Sequence, residues 1–169
     1  MSLSIQHLRT TPLRYNVQRD SEFLDLGCNT GFFLKELVKA KNVKATGVDV
    51  KQELINICEK TFKYDRVEAE FICSDFQPFI DNCILTGVQY DNVAMLSVFD
   101  FDTTVEHMLE RLLAITRHKL FLEPTNHTKE TTEQILERLK CRPFKNLNVK
   151  VLGTTDYQNR ILFMVTKNA

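Results

Sequence analysis

The sequence predicts an α/β fold: a doubly wound, mostly parallel seven-stranded sheet with an antiparallel C-terminal hairpin strand and helices on both faces. Three observations predict it. Short apolar runs alternate with segments of helical period along the 169 residues, the pattern of strands joined by crossover helices. A turn holding Gly27 and Gly31 joins the first apolar run directly to the first helical one. Two β-rich runs around a polar turn close the chain and read as a hairpin. A closed barrel needs more strand–helix units than this length supplies. Open sheets of this kind bind ligands at the carboxyl ends of their strands, where the strand order reverses.

Each element has its own signature. Residues 1–20 are polar with spaced apolar positions (Leu3, Ile5, Leu8, Leu13, Tyr15, Val17) and predict an N-terminal helix or arm; Arg9, Arg14 and Arg19 read first as its solvated face and second as an anion-binding arm. Residues 21–169 read as a single domain. "EFLDLG" is the first strand, and Phe33, Leu34, Leu37 and Val38 mark a helix over 31–40. "KATGVDV" is the second strand; Leu54, Ile55, Cys58 and Phe62 stripe a helix over 51–63. "EAEFICS" and "DNVAMLSV" are the third and fourth strands. Val105, Met108, Leu109, Leu112 and Ile115 define a helix over 103–116, opened by the capping-box pair Thr103 and Glu106. "HKLFLE" is the fifth strand, and Thr131 with Gln134 opens a helix through Ile135, Leu136 and Leu139. "NLNVKVLG" and "RILFMVT" bracket "TTDYQN" as the hairpin.

Lys+Arg and Asp+Glu both number 22, so the formal net charge is zero and no global field draws in nucleic acid or an anionic membrane. Five cysteines, Cys28, Cys58, Cys73, Cys83 and Cys141, are odd in number and form no CxxC pair. They read as free thiols of a reducing compartment, without metal-ligand spacing. There is no signal-peptide pattern, and no apolar run approaches the roughly 18 residues of a membrane span. The expectation is a cytoplasmic protein with no membrane association and no metal.

The chemistry centres on "LDLGCNTGFF". The motif GxxxxGK[ST] of a phosphate loop is absent, and Gly27-Cys-Asn-Thr-Gly31 fits the dinucleotide motif GxGxxG poorly, with Asn29 at its middle glycine. Asp25 is unsuited to a pyrophosphate and suits a cationic group. The helix start offers N–H groups to an anion. A ligand positive near the strand and negative near the helix is an amino acid. About 20 residues beyond the glycine turn, "GVDV" ends in Asp49, placed to accept two ribose hydroxyls.

Amino acid plus ribose describes S-adenosylmethionine. "FLDLGCNTGFF" followed by "GVDV" resembles the class I (Rossmann-like) S-adenosylmethionine-dependent methyltransferases, with the glycine-rich motif D-x-G-C-x-x-G and the acidic ribose-binding strand end. "FICSDF" and "YDNVAMLSVFDF" resemble the family's third and fourth elements, and the likeness spans about residues 20–167. The resemblance implies cofactor contacts by Asp25, Gly27, Cys28, Asn29 and Gly31 at the amino-acid end. It implies Asp49 at the ribose, Val50 as a further cofactor contact, Asp75 and Phe76 at the adenine, and Leu96 and Ser97 facing the methyl. Asn29 replaces the commoner glycine and is tolerated because Asn adopts the left-handed conformation. Blander roles stand beside these: a solvated strand-end acid for Asp25, a helix cap for Asp49, a turn residue for Asp75, core for Phe32 and Phe33. Cys28 lines the cofactor and is not a nucleophile.

Methyl transfer from a sulfonium depends mainly on proximity and alignment, and a base is needed only where the acceptor loses a proton. Catalytic candidates after the fourth and fifth strands are Asp100, Glu123 and His127, with Asp102 and Asn126 beside them and a helix cap as the other role of Asp102. No "NPPY"-type tetrapeptide follows the fourth strand, which turns the reading away from planar amide or adenine-amine methylation. The expected reaction converts S-adenosyl-L-methionine to S-adenosyl-L-homocysteine (SAH) and methylates a small molecule, a glycan precursor or an RNA end. The neutral charge and short length favour a small acceptor. The alternative is a weak or inactive member of the fold that binds or stabilises a partner subunit. A nicotinamide oxidoreductase is disfavoured by the glycine pattern.

Overall fold

The computed structural model describes residues 11–98, 105–125, 132–140, 146–155 and 160–167. A helix, α1, covers residues 11–16. There follow β1 (Glu22–Leu26), α2 (Phe32–Lys41), β2 (Lys44–Asp49), α3 (Gln52–Asp65), β3 (Glu70–Cys73), α4 (Phe76–Thr86) and β4 (Tyr90–Leu96). After them come α5 (Val105–Ala114), β5 (Thr116–Glu123), α6 (Thr132–Lys140), β6 (Leu147–Thr155) and β7 (Arg160–Lys167). The seven strands form one sheet in the order β3-β2-β1-β4-β5-β7-β6. The pairings β1·β2, β1·β4, β2·β3 and β4·β5 are parallel; β5·β7 and β6·β7 are antiparallel. The strand order reverses between β1 and β4, so the glycine turn after β1 stands at the switch point.

The two-residue period of a strand separates two apolar cores. Phe23, Ala94, Phe121 and Leu162 face one side and pack with Leu13 of α1, Leu34 and Leu37 of α2, and Ile55, Cys58 and Phe62 of α3. Leu24, Val93, Met95, Leu120, Leu122, Phe163 and Val165 face the other, with Ile80 and Cys83 of α4, Leu109 and Leu112 of α5, and Ile135 of α6. Helices therefore cover both faces, which is why the central strands are apolar at nearly every position.

The expected elements are present with shifted ends; β3, for example, is only Glu70–Cys73. The sequence reading leaves 76–86 unassigned, and these residues form α4. Pro78 stands in its first turn, where the missing N–H costs no helical bond, and Gly87 closes it at φ 72°. Arg14 is exposed, and Arg19 donates to the Ala40 carbonyl at 3.2 Å. Arg9, Thr103, Thr131 and the turn residues 156–159 lie outside the described residues. Among the described residues no helix is long and apolar enough to cross a membrane.

Candidate cofactor cleft

β1 leaves the sheet through a turn in which Gly27, Asn29 and Gly31 all have positive φ (81°, 52° and 68°), so Asn29 adopts the left-handed state anticipated for it. The Gly27 and Cys28 N–H groups both donate to the Val48 carbonyl, at 2.8 and 3.0 Å. Gly31 is the N-cap of α2 and carries no side-chain cap bond. The glycines serve packing as well as conformation. A Cβ on Gly27 would come within 2.4 Å of Val98 Cγ2, and one on Gly31 within 3.1 Å of Cys58 Sγ. The space under these two positions is filled by protein side chains.

Asp49 ties the turn to β2. Its Oδ2 accepts from the Asn29 N–H at 3.0 Å and its Oδ1 from the Lys51 N–H at 3.0 Å. The N-cap of α3 is Lys51 itself, so Asp49 supports the helix start from two residues ahead and the glycine turn at the same time. Asp25, between Gly47 and Ala94 in the sheet, is 4% exposed. Cys28 is buried next to it. Its hydrogen bond with Cys58, then burial, then the Asp25 carboxylate push its thiol far up.

Asp75 is the N-cap of α4, its Oδ1 accepting from the Gln77 N–H at 3.0 Å, and Phe76 is the first helical residue. Gly27, Val48, Asp49, Val50, Ser74, Asp75, Phe76 and Val98 line one cleft at the carboxyl ends of β1 to β4. Five of these, Gly27, Asp49, Val50, Asp75 and Phe76, are sequence-predicted. Asp25, Cys28, Asn29 and Gly31 form the turn and its underside. Leu96 ends β4, and Ser97 follows at φ 60°. Val48, Ser74 and Val98 were missed, although all three stand inside the motif stretches, each one residue from a predicted neighbour.

Glu123 ends β5 fully buried. Its Oε1 accepts from Ser97 Oγ at 2.7 Å and lies 3.6 Å from Arg160 Nη1; it does not line the cleft. Asp100, Asp102, Asn126 and His127 lie outside the described residues. Among the described residues no cluster of side chains suits a metal ion.

Residues 23–119 match the family model "Methyltransferase domain", and the chain belongs to this family, the class I S-adenosylmethionine-dependent methyltransferases. No curated protein matches the chain. Among solved structures it is similar to a Streptococcus mutans protein assigned as a SAM-dependent methyltransferase, with TM-score 0.77 and 12% identity over 96% of this chain and 48% of that one. It is similar to the plantazolicin methyltransferase BpumL in complex with a triazolic desmethylPZN analog and SAH (TM-score 0.73, 17% identity, 99% and 86% covered). It is also similar to an rRNA methylase from Streptococcus thermophilus (TM-score 0.67, 14% identity, 100% and 99% covered). The chain spans about half the length of the Streptococcus mutans protein and of SMU.776, assigned as a methyltransferase and complexed with SAH.

S-adenosylmethionine is the cofactor of the family, and the donor set of the cleft fits it. Asp49, at the end of β2 and in the lining, suits two hydroxyls, while Asp25 lies buried beneath the turn. A helix start without a side-chain cap matches a carboxylate.

Proposed function

We propose that this chain is an S-adenosylmethionine-dependent methyltransferase whose acceptor is a small molecule, with a glycan precursor or an RNA end as the other acceptor classes. The observation that carries the cofactor reading is the state of Asp49. Each of its oxygens takes one backbone N–H, and a carboxylate oxygen has a second lone pair. Those two lone pairs would hold the two ribose hydroxyls in charge-assisted bonds, from a carboxylate that the backbone has already oriented. The start of α2 would receive the amino-acid carboxylate and Asp25 its ammonium. Val50, with its apolar side chain 64% exposed, would cover the nucleoside. Asp75, with Oδ2 remaining after the cap bond, would accept from the adenine amino group. Leu96, at the end of β4, would face the methyl, with the Ser97 hydroxyl engaged by Glu123 instead. When bound, the cofactor supplies a methyl already activated by its sulfonium. The protein's part is to align the acceptor and exclude water.

The neutral formal charge supports a small acceptor over a nucleic acid. A cytoplasmic setting belongs to the same reading, since free thiols persist there. Calorimetric titration tests the cofactor reading: S-adenosylmethionine and SAH bind with micromolar affinity. No heat with either, together with tight binding of NAD, would overturn it. Transfer of labelled methyl into the small-molecule rather than the RNA fraction of a cell extract tests the acceptor class.

A further inference from the structure

We propose that Glu123 is a positioning residue, acting through Ser97 and Val98 on the glycine turn, an inference that rests on the cleft being the cofactor site. A carboxylate as deeply buried as Glu123 is costly unless its oxygens are bonded. Its main-chain carbonyl accepts from the Ser97 N–H at 2.7 Å, and its Oε1 accepts from the Ser97 hydroxyl at 2.7 Å. Ser97 is thus gripped twice by one residue of the neighbouring strand. It needs that grip, because its φ of 60° is unfavourable for any residue with a Cβ and persists only where the surroundings hold it. This conformation sets the direction in which the chain leaves β4. It places the next side chain, Val98, against Gly27, where a Cβ on the glycine would meet Val98 Cγ2 at 2.4 Å. Gly27 and Val98 line the cleft together with Asp49 and Asp75, and Glu123 does not. Contacts therefore run without interruption from the buried end of β5 to the cofactor turn.

The test compares wild type, E123Q, E123A, S97A and the double variant E123A/S97G. SAH affinity is measured by calorimetry, and the amide resonances of Gly27 and Asn29, both in the glycine turn and neither a chain neighbour of a substituted residue, are recorded without ligand. In E123Q the amide oxygen still accepts from Ser97, so affinity stays within about threefold of wild type. E123A and S97A bind about tenfold more weakly, with both resonances displaced. Adding S97G to E123A returns affinity to within about threefold, because glycine takes positive φ unaided. A folded E123A or S97A with wild-type affinity and unmoved resonances overturns the proposal, and so does an E123A defect that S97G leaves uncorrected. S97A carries the test if E123A does not fold, since it keeps Glu123 whole. If wild type binds no SAH, the cofactor reading fails by itself. The resonances then decide: displaced in S97A they support the proposal, and unmoved they overturn it.

Discussion

At the amino edge of the sheet Glu22 and Asp91 converge on one guanidinium. Arg117 Nη1 donates to Glu22 Oε2 at 2.6 Å and to Asp91 Oδ1 at 3.0 Å, and Asp91 Oδ2 accepts from the Glu22 N–H at 2.9 Å. At the carboxyl edge Asp49 and Asp75 accept from backbone N–H groups, and among the described residues neither has an ion-pair partner. Both edges carry acids at strand ends, but Glu22 and Asp91 share a cation whereas Asp49 and Asp75 do not. Acids satisfied by a cation close the sheet. Acids fixed by backbone N–H groups are oriented and keep lone pairs for a ligand. The amino edge also bears the larger depression, lined by Glu22, Lys44, Thr46, Glu68, Glu70 and Tyr90 among others. It lies far from the glycine turn, and size alone is a poor guide to the site.

The comparison breaks most sharply at Asp49. D49A removes the acceptor of the two ribose hydroxyls and of the Asn29 and Lys51 N–H groups. SAH affinity is expected to fall by about 2–4 kcal/mol, with a cooperative melt retained. Unchanged affinity in a folded variant would leave Asp49 a purely structural acid like Asp91.

Asp75 sharpens the contrast because its two roles separate. Asn caps a helix as well as Asp does, so D75N keeps α4 while turning a donor toward the adenine amino group. The expected loss is about 1–3 kcal/mol in SAH affinity. Preference for SAH over its inosine counterpart should narrow, since inosine presents an acceptor to the new amide. A ratio of the two binding constants equal to that of wild type would remove Asp75 from base recognition.

At the amino edge R117A should leave SAH affinity at the wild-type value. Its ion pairs are partly exposed, with Arg117 at 41%, so the stability change is about 0–1 kcal/mol, read by denaturant titration. A large loss of affinity would erase the distinction between the edges.

The smallest effect is in pH. Burial raises the Asp91 pKa, but the Glu22 N–H and Arg117 outweigh it, so the carboxyl stays below its ordinary value of 3.8. A depressed acid stabilises the fold fully above its unfolded pKa and loses that contribution as pH falls through the folded value. Stability should therefore fall below about pH 3.8, less steeply in D91N than in wild type. Identical slopes would show that Asp91 contributes nothing to acid sensitivity.

Local pattern was enough for most of this molecule. Strand and helix periods are set by neighbours a few residues apart, so the alternation, the hairpin and the D-x-G-C-x-x-G turn were legible in the chain, as were Asp49 and Asp75 at their strand ends. The segment 76–86 was not, because Pro78 in its first turn interrupts the helical signal and only packing of Ile80 and Cys83 into the second core completes the helix. Only the tertiary structure could decide the rest. That Asp49 accepts from Asn29, that Val98 fills the space beside Gly27, and that Glu123 is buried against Ser97 rather than open to the cleft all depend on strands brought together by the sheet. These pairs are separated by 20, 71 and 26 positions in the sequence, and no local period records which side chains the parallel register sets against each other.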